Sequence, residues 1–192
     1  FVPLLGFVEI SRLAASEMDF LICVYCQDDT PSSALSQGTF GRSDHRNQFL
    51  HESLVSLDSS LHCYGHRLVF RKQHLTDAAA ELIYSHSVTH IYRSVSVGRH
   101  LNRQWDALKK EHPTITFQQR HSHTIFKPDD LPFTVDSLPL TFSKLRKQVE
   151  SILVGFPAPK PKSLPPPPPN LAKEKTIPNL RDVTPSSYFT GG

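Results

Sequence analysis

Along residues 1–155, apolar positions come in blocks whose period switches between that of a helix and that of a buried strand. Pro3 to Met18 puts Leu4, Leu5, Val8 and Leu13 on one stripe, with a proline in the first turn, and predicts a helix. Phe20-Leu-Ile-Cys-Val-Tyr-Cys26 is a continuous apolar run, the pattern of a strand buried on both faces. Residues 30–42 are a polar loop. Ser43 or Asp44 then caps a helix reaching about Tyr64, with Phe49, Leu50, Leu54, Leu57 and Leu61 inward and Gly65 as its stop. Arg67 to Arg71 reads as a strand. Thr76 caps a helix to about His86 that carries Ala79, Ala80, Leu82 and Ile83. Val88 to Val95 is a strand, Gly98 to Glu111 a helix with Leu101, Trp105 and Leu108, and Ile115 to Gln119 a strand. Leu140 to Leu153 is a last helix.

The alternation of helix and strand predicts an α/β fold, a Rossmann-like doubly wound parallel sheet of about four to five strands. Such a unit normally opens with a strand. None is legible before Phe20, so the first strand reads as missing, and its absence should leave apolar sheet and helix surface uncovered.

Composition changes near residue 156. Pro157-Ala-Pro-Lys-Pro161 is followed by five prolines at 165–169. Proline fixes φ and removes a donor, so this stretch predicts an extended linker outside the core. The expected division is an α/β domain over 1–155 and a Pro-rich linker over 156–192. A polyproline run can also dock an aromatic-lined groove, but a spacer is the preferred reading.

Net charge of +3 is too small to argue for nucleic acid on its own. Three cysteines make no disulfide framework and fit a reducing compartment, so the expected location is cytoplasmic. No apolar run approaches the roughly 20 residues of a membrane span. The opening Phe1-Val-Pro-Leu-Leu5 does not read as a signal peptide.

Candidate chemistry is sparse. Cys23-Val-Tyr-Cys26 has C-x-x-C spacing, but inside a strand its two thiols point to opposite faces, so it reads as core and not as a metal or redox site. His86, His90, His100, His121 and His123 show no i, i+4 pair within one helix, since His86 ends a helix and His90 lies in the next strand, and no carboxylate partners, so no metal site is expected. Ser43-Asp-His45 falls where a helix needs a cap, and triads are assembled in space. No glycine-rich phosphate loop is present. Lys144, Arg146 and Lys147 read as a solvated face of the last helix. Open α/β sheets bind ligands outside the carboxyl ends of their strands. Here those ends are Cys26 to Asp29, Lys72 to His74, Ser94 to Gly98 and His121 to Ile125.

Taken in order, several segments resemble the DASH branch of the cryptochrome/photolyase family. They are Leu21-Ile-Cys-Val-Tyr-Cys-Gln-Asp28, Phe40-Gly-Arg-Ser-Asp-His-Arg46 with the following Asn-Gln-Phe-Leu-His-Glu-Ser-Leu54, and Thr124-Ile-Phe-Lys-Pro-Asp-Asp-Leu-Pro-Phe133. Phe142-Ser-Lys-Leu-Arg-Lys-Gln-Val-Glu150, Lys162-Ser-Leu-Pro-Pro and Ser187-Tyr-Phe-Thr-Gly-Gly192 complete the set. The resemblance implies the amino-terminal antenna domain of that family. Its partner would be an FAD-binding domain, absent from this chain. It implies FAD and a methenyltetrahydrofolate antenna as cofactors, and single-stranded DNA carrying pyrimidine dimers as the substrate of the whole protein, with photoreception as the other family role. This chain by itself is then expected to have no catalytic residues and no activity.

Cys26, Asp28, Arg46, Ser94 and Ser96 are the candidates for the antenna crevice. Ser96 stands where family members tend to carry an acidic residue, and a serine supplies no charged acceptor. Arg46 sits in a first helical turn, where the helix dipole disfavours a cation, and is expected to meet a loop carbonyl, Asp28 or Asp29. The alternative reading is a stand-alone nucleotide-binding-like α/β module, or a module that recruits a partner through its polyproline tail.

Overall fold

A computed structural model describes residues 18–27, 44–122, 124–154, 159–171 and 177. The expected first helix, the 30–42 loop, Asp28, Asp29, His123 and Ser187 to Gly192 lie outside the described residues, as do the side chains of Asp44 and Arg46.

Strand β1 (Cys23–Cys26) pairs in parallel with β2 (Leu68–Arg71), Cys23 opposite Leu68 and Cys26 opposite Arg71. Helix α1 (Asp44–His62) makes the crossover between them. Its Leu54 and Leu61 close on Cys23, Leu68 and Phe70, with Leu50, Leu57 and Tyr25 partly buried against the cluster. Tyr25 and Phe70 stack across the ladder at 6.1 Å between ring centroids. The helix stops at Gly65, whose φ of +76° lies in the left-handed region where a side chain is strained. The chain turns there so that the His66 N–H reaches back to the Leu61 carbonyl at 3.1 Å. Asp58 then accepts from the Leu68 N–H at 2.6 Å and pairs with Arg67 at 3.4 Å, fixing where β2 begins.

The second half repeats the plan. Helix α2 (Leu75–His86) leads to β3 (His90–Ser94), and α3 (Arg99–Glu111) leads to β4 (Thr116–Arg120), parallel to β3 with Ile91 opposite Phe117. Ala78 and Leu82 of α2 and Trp105 and Leu108 of α3 are buried, and the two helices pack together. Beyond β4 come two short 3₁₀ turns, Pro128–Asp130 and Val135–Ser137, and helix α4 (Phe142–Val149).

The parallel α/β class holds, with several corrections. The described strands form two separate two-stranded sheets, β1–β2 and β3–β4, and not one continuous sheet. No described strand fills the position that would bridge the two pairs. β1 begins at Cys23, not Phe20, because ladder pairing starts only where β2 can meet it. Nor is β1 covered on both faces: Val24 is 40% exposed while its neighbour Cys23 is buried. Phe49, expected inward, is 36% exposed, since a stripe from Leu50 through Leu61 already fills the contact with β1 and β2. His74, not Thr76, is the N-cap of α2, and the Thr76 hydroxyl lies 2.8 Å from His74 Nδ1. α4 is shorter than expected and buries none of its residues.

The largest correction concerns the prolines. Leu164 packs on the β1–β2 core, and Pro165 and Leu171 are buried. The Pro165 carbonyl accepts from His66 Nε2 at 2.7 Å, and the Pro166 carbonyl accepts from the Leu21 N–H at 3.0 Å. An extended proline run has no internal hydrogen bonds, so its carbonyls are free to accept from whatever donors line its bed. Leucines at both ends supply the apolar contact. Residues 164–171 are therefore docked on the core through Leu164, Pro165 and Leu171, with Pro166, Pro169 and Asn170 exposed, and are not a spacer held away from it.

Candidate functional site

The carboxyl end of the β3–β4 pair is built from neutral polar groups. Ser94, the last residue of β3, accepts from the Ser122 hydroxyl at 2.6 Å across the mouth of the ladder. The chain then rises through Val95, whose N–H is taken by the Arg120 carbonyl at 2.9 Å, to Ser96. The Ser96 hydroxyl accepts from the Gly98 N–H at 3.2 Å, and the Ser96 carbonyl accepts from Asn102 Nδ2 at 2.8 Å. These bonds close the loop onto the amino end of α3. That helix has Gly98 as N-cap and no acidic residue in its first turn, so its N–H groups and dipole face the same crevice.

Arg93 props this loop from beneath. Its Nη1 donates to the Leu101 carbonyl and its Nη2 to Asn102 Oδ1, both at 2.8 Å, and its guanidinium lies over Trp105 at 4.3 Å from the ring centroid. The Gln119 amide, oxygen inward, accepts from the same guanidinium at 2.6–2.7 Å. Burial lowers the Arg93 pKa from its ordinary value and the Asp106 carboxylate partly restores it.

A second polar knot ties the start of α2 to α3. The Gln104 amide nitrogen lies 2.8 Å from both His74 Nε2, beyond β2, and His100 Nε2, one turn earlier on α3.

Of the residues expected in the crevice, Ser94 and Ser96 stand together at the end of β3, while Cys26 ends β1 in the other strand pair. Asp28 and the Arg46 side chain lie outside the described residues. His74 and Ser122 fall inside the strand-end ranges the sequence marks, though neither stands out individually there, and sequence reasoning missed Asn102, Arg93 and Gln104. Gly98 was the one available signal, because a glycine opening a helix after a strand marks the loop that Asn102 closes.

Chemically, the loop can hold a polar ligand through hydroxyls, an amide and helix N–H groups. Neither Ser94 nor Ser122 is hydrogen-bonded to a histidine or carboxylate among the described residues, so neither is set up as a nucleophile. The Ser96 hydroxyl accepts from its own loop and keeps only a neutral O–H donor and one lone pair to offer a ligand. The described end of β3 therefore does not fit a cofactor that needs an anionic acceptor there. Among the described residues no group of three or more His, Cys, Asp or Glu could hold a metal ion, and none of Cys23, Cys26 and Cys63 is in a disulfide. No described helix is long and apolar enough to cross a membrane.

Comparison with known proteins agrees with this architecture. The chain is 33% identical over 184 residues to a cryptochrome DASH of Vibrio parahaemolyticus, a match covering 93% of this chain and 40% of that protein. It is 30% identical over 183 residues to a cryptochrome DASH of Idiomarina loihiensis, with the same coverage. The fold matches a crystal structure of a Synechocystis cryptochrome with a TM-score of 0.79 and 26% identity, over 95% of this chain and 40% of that one. A class III photolyase of Agrobacterium tumefaciens shares the fold with a TM-score of 0.66 at 23% identity. The chain thus spans about two fifths of the length of these relatives. The DNA photolyase family model matches residues 11–168, from before β1 to the docked prolines, and this chain belongs to that family.

Proposed function

We propose that this chain serves as the amino-terminal α/β domain of a DASH-type cryptochrome, working with an FAD-binding domain. The observation that carries the reading is the coincidence of a family match and a fold match that both cover most of this chain and only 40% of its relatives. In the whole protein, reduced flavin would donate an electron to a cyclobutane pyrimidine dimer in single-stranded DNA, or would support photoreception. The part of this chain is to cover and position the flavin domain.

The surface suits such a role. Ile125, Val135, Leu138, Leu140, Phe142, Leu153 and Val154, all within residues 125–154, are exposed large apolar side chains, the kind of surface a neighbouring domain can cover. A folate antenna is the weaker part of the proposal, because Ser94, Ser96 and Ser122 offer no charge and Ser96 is already engaged. The docking of Pro165 and Leu171 speaks against a polyproline tail held out for a partner.

The test is a chimera in which this chain replaces the corresponding region of the Vibrio relative. It should be soluble, retain a flavin spectrum through gel filtration and repair dimers under blue light, while the 192-residue chain retains no flavin. A chimera that cannot hold flavin, or a stoichiometric flavin on the chain alone, overturns the reading.

A further inference from the structure

We infer that residues 164–171 form a strap held closed by neutral His66 and released when that imidazole takes up a second proton. His66 is 0% exposed, at the turn between α1 and β2. Among the described residues its one side-chain hydrogen bond is from Nε2 to the Pro165 carbonyl, at 2.7 Å. A carbonyl only accepts, so Nε2 carries the proton and Nδ1 presents a bare lone pair. Nδ1 is buried and has no hydrogen-bond partner among the described residues. A second proton must go there, creating a buried cation with an unsatisfied N–H.

The surrounding charges do not relieve this. At the end of α1 and in the turn before His66 the ionisable groups are Asp58, His62, Cys63 and Tyr64, and Asp58 is committed to the Leu68 N–H and Arg67. β2 and the residue before it contribute Arg67 and Arg71, β1 contributes Cys23, Tyr25 and Cys26, and the strap is preceded by exposed Lys162. None of them bonds to the imidazole. Burial accordingly lowers the His66 pKa from its ordinary 6.5, and the bond to the Pro165 carbonyl opposes this only in part.

The sign follows. A group whose pKa is lowered in the docked state supports docking fully above pH 6.5, and that support is lost as pH falls below it through the docked value. The strap is the element that yields, because its other described ties are one backbone bond at Leu21 and the side chains of Leu164 and Leu171. The β1–β2 ladder does not involve His66. Release uncovers His66 and the part of the β1–β2 core on which Leu164 packs, and frees an extended proline segment.

Amide hydrogen exchange on the 192-residue chain tests this at about pH 7.5 and about pH 5, corrected for the intrinsic pH dependence of exchange. The Leu21 N–H reports on the strap, and the Gln27 N–H, bonded to the Arg71 carbonyl at 2.7 Å in the same strand region, reports on the ladder. Acid should lower protection of Leu21 relative to Gln27 by roughly tenfold or more. His66→Gln, which keeps a donor and cannot titrate, should abolish the difference. Equal loss at both amides, no change at Leu21, or the same difference in His66→Gln overturns the inference. If that variant fails to fold, the wild-type comparison of the two amides decides alone.

Discussion

Arg93 lies over the face of Trp105, its guanidinium carbon 4.3 Å from the ring centroid. Phe117 meets the same ring edge-on at 5.0 Å, so β3, α3 and β4 are joined through one indole. The guanidinium also donates to Leu101 and Asn102, which hold the loop at the end of β3. Arg93→Ala should cost about 2 kcal/mol, the sum of a half-buried cation–π contact and lost charged hydrogen bonds. Arg93→Lys should recover less than half, because an ammonium cannot fork to two acceptors and stack at once. Urea unfolding followed by the fluorescence of Trp105, the single tryptophan, reads this directly. Equal stability of Lys and Arg variants would show that charge alone matters.

The cysteines should react in order of exposure. Burial pushes the Cys23 thiol up to about 12, and the thiolate is the reactive form. Cys63 is exposed at the end of α1. Iodoacetamide at neutral pH should modify Cys63 in the folded chain and reach Cys23 only when urea unfolds it, as mass spectrometry of the peptides would show.

Stability should divide sharply between the core and the 125–154 stretch. Leu61→Ala and Leu108→Ala remove fully buried side chains and should each cost about 2–5 kcal/mol. Leu140→Asp changes a fully exposed residue and should alter stability by under about 0.5 kcal/mol. A strongly destabilised Leu140→Asp would mean that Leu140 is covered.

Gly65 should resist substitution for a conformational reason alone. A Cβ there would meet nothing within 4 Å, yet the φ of +76° strains any side chain. Gly65→Ala should cost about 1 kcal/mol and Gly65→Asn less, measured by thermal unfolding.

Much of this was legible along the chain. The stripe from Leu50 to Leu61, the stop at Gly65, and the Trp105–Leu108 face of α3 are local patterns, and the structure keeps them. The end of β3 was foreseen as far as Ser94 and Ser96, because strand ends follow from strand positions. Its working contacts were not, since Ser122 meets Ser94 from 28 residues away and Gln104 meets His74 from 30.

The sequence by itself determined the order of helices and strands, their parallel pairing and the family to which they belong. Helical and strand periodicities and caps act within a few residues and need no partner to be read. Tertiary structure decided what depends on a distant partner. It left β1–β2 and β3–β4 as separate pairs, turned Phe49 outward and kept α4 unburied. It also seated the prolines on the core, where composition had argued for a free linker. A proline run is extended wherever it lies, and its carbonyls bind only if donors wait for them. Here His66, 99 residues earlier, and Leu21 supply those donors, and only folding brings them to Pro165 and Pro166.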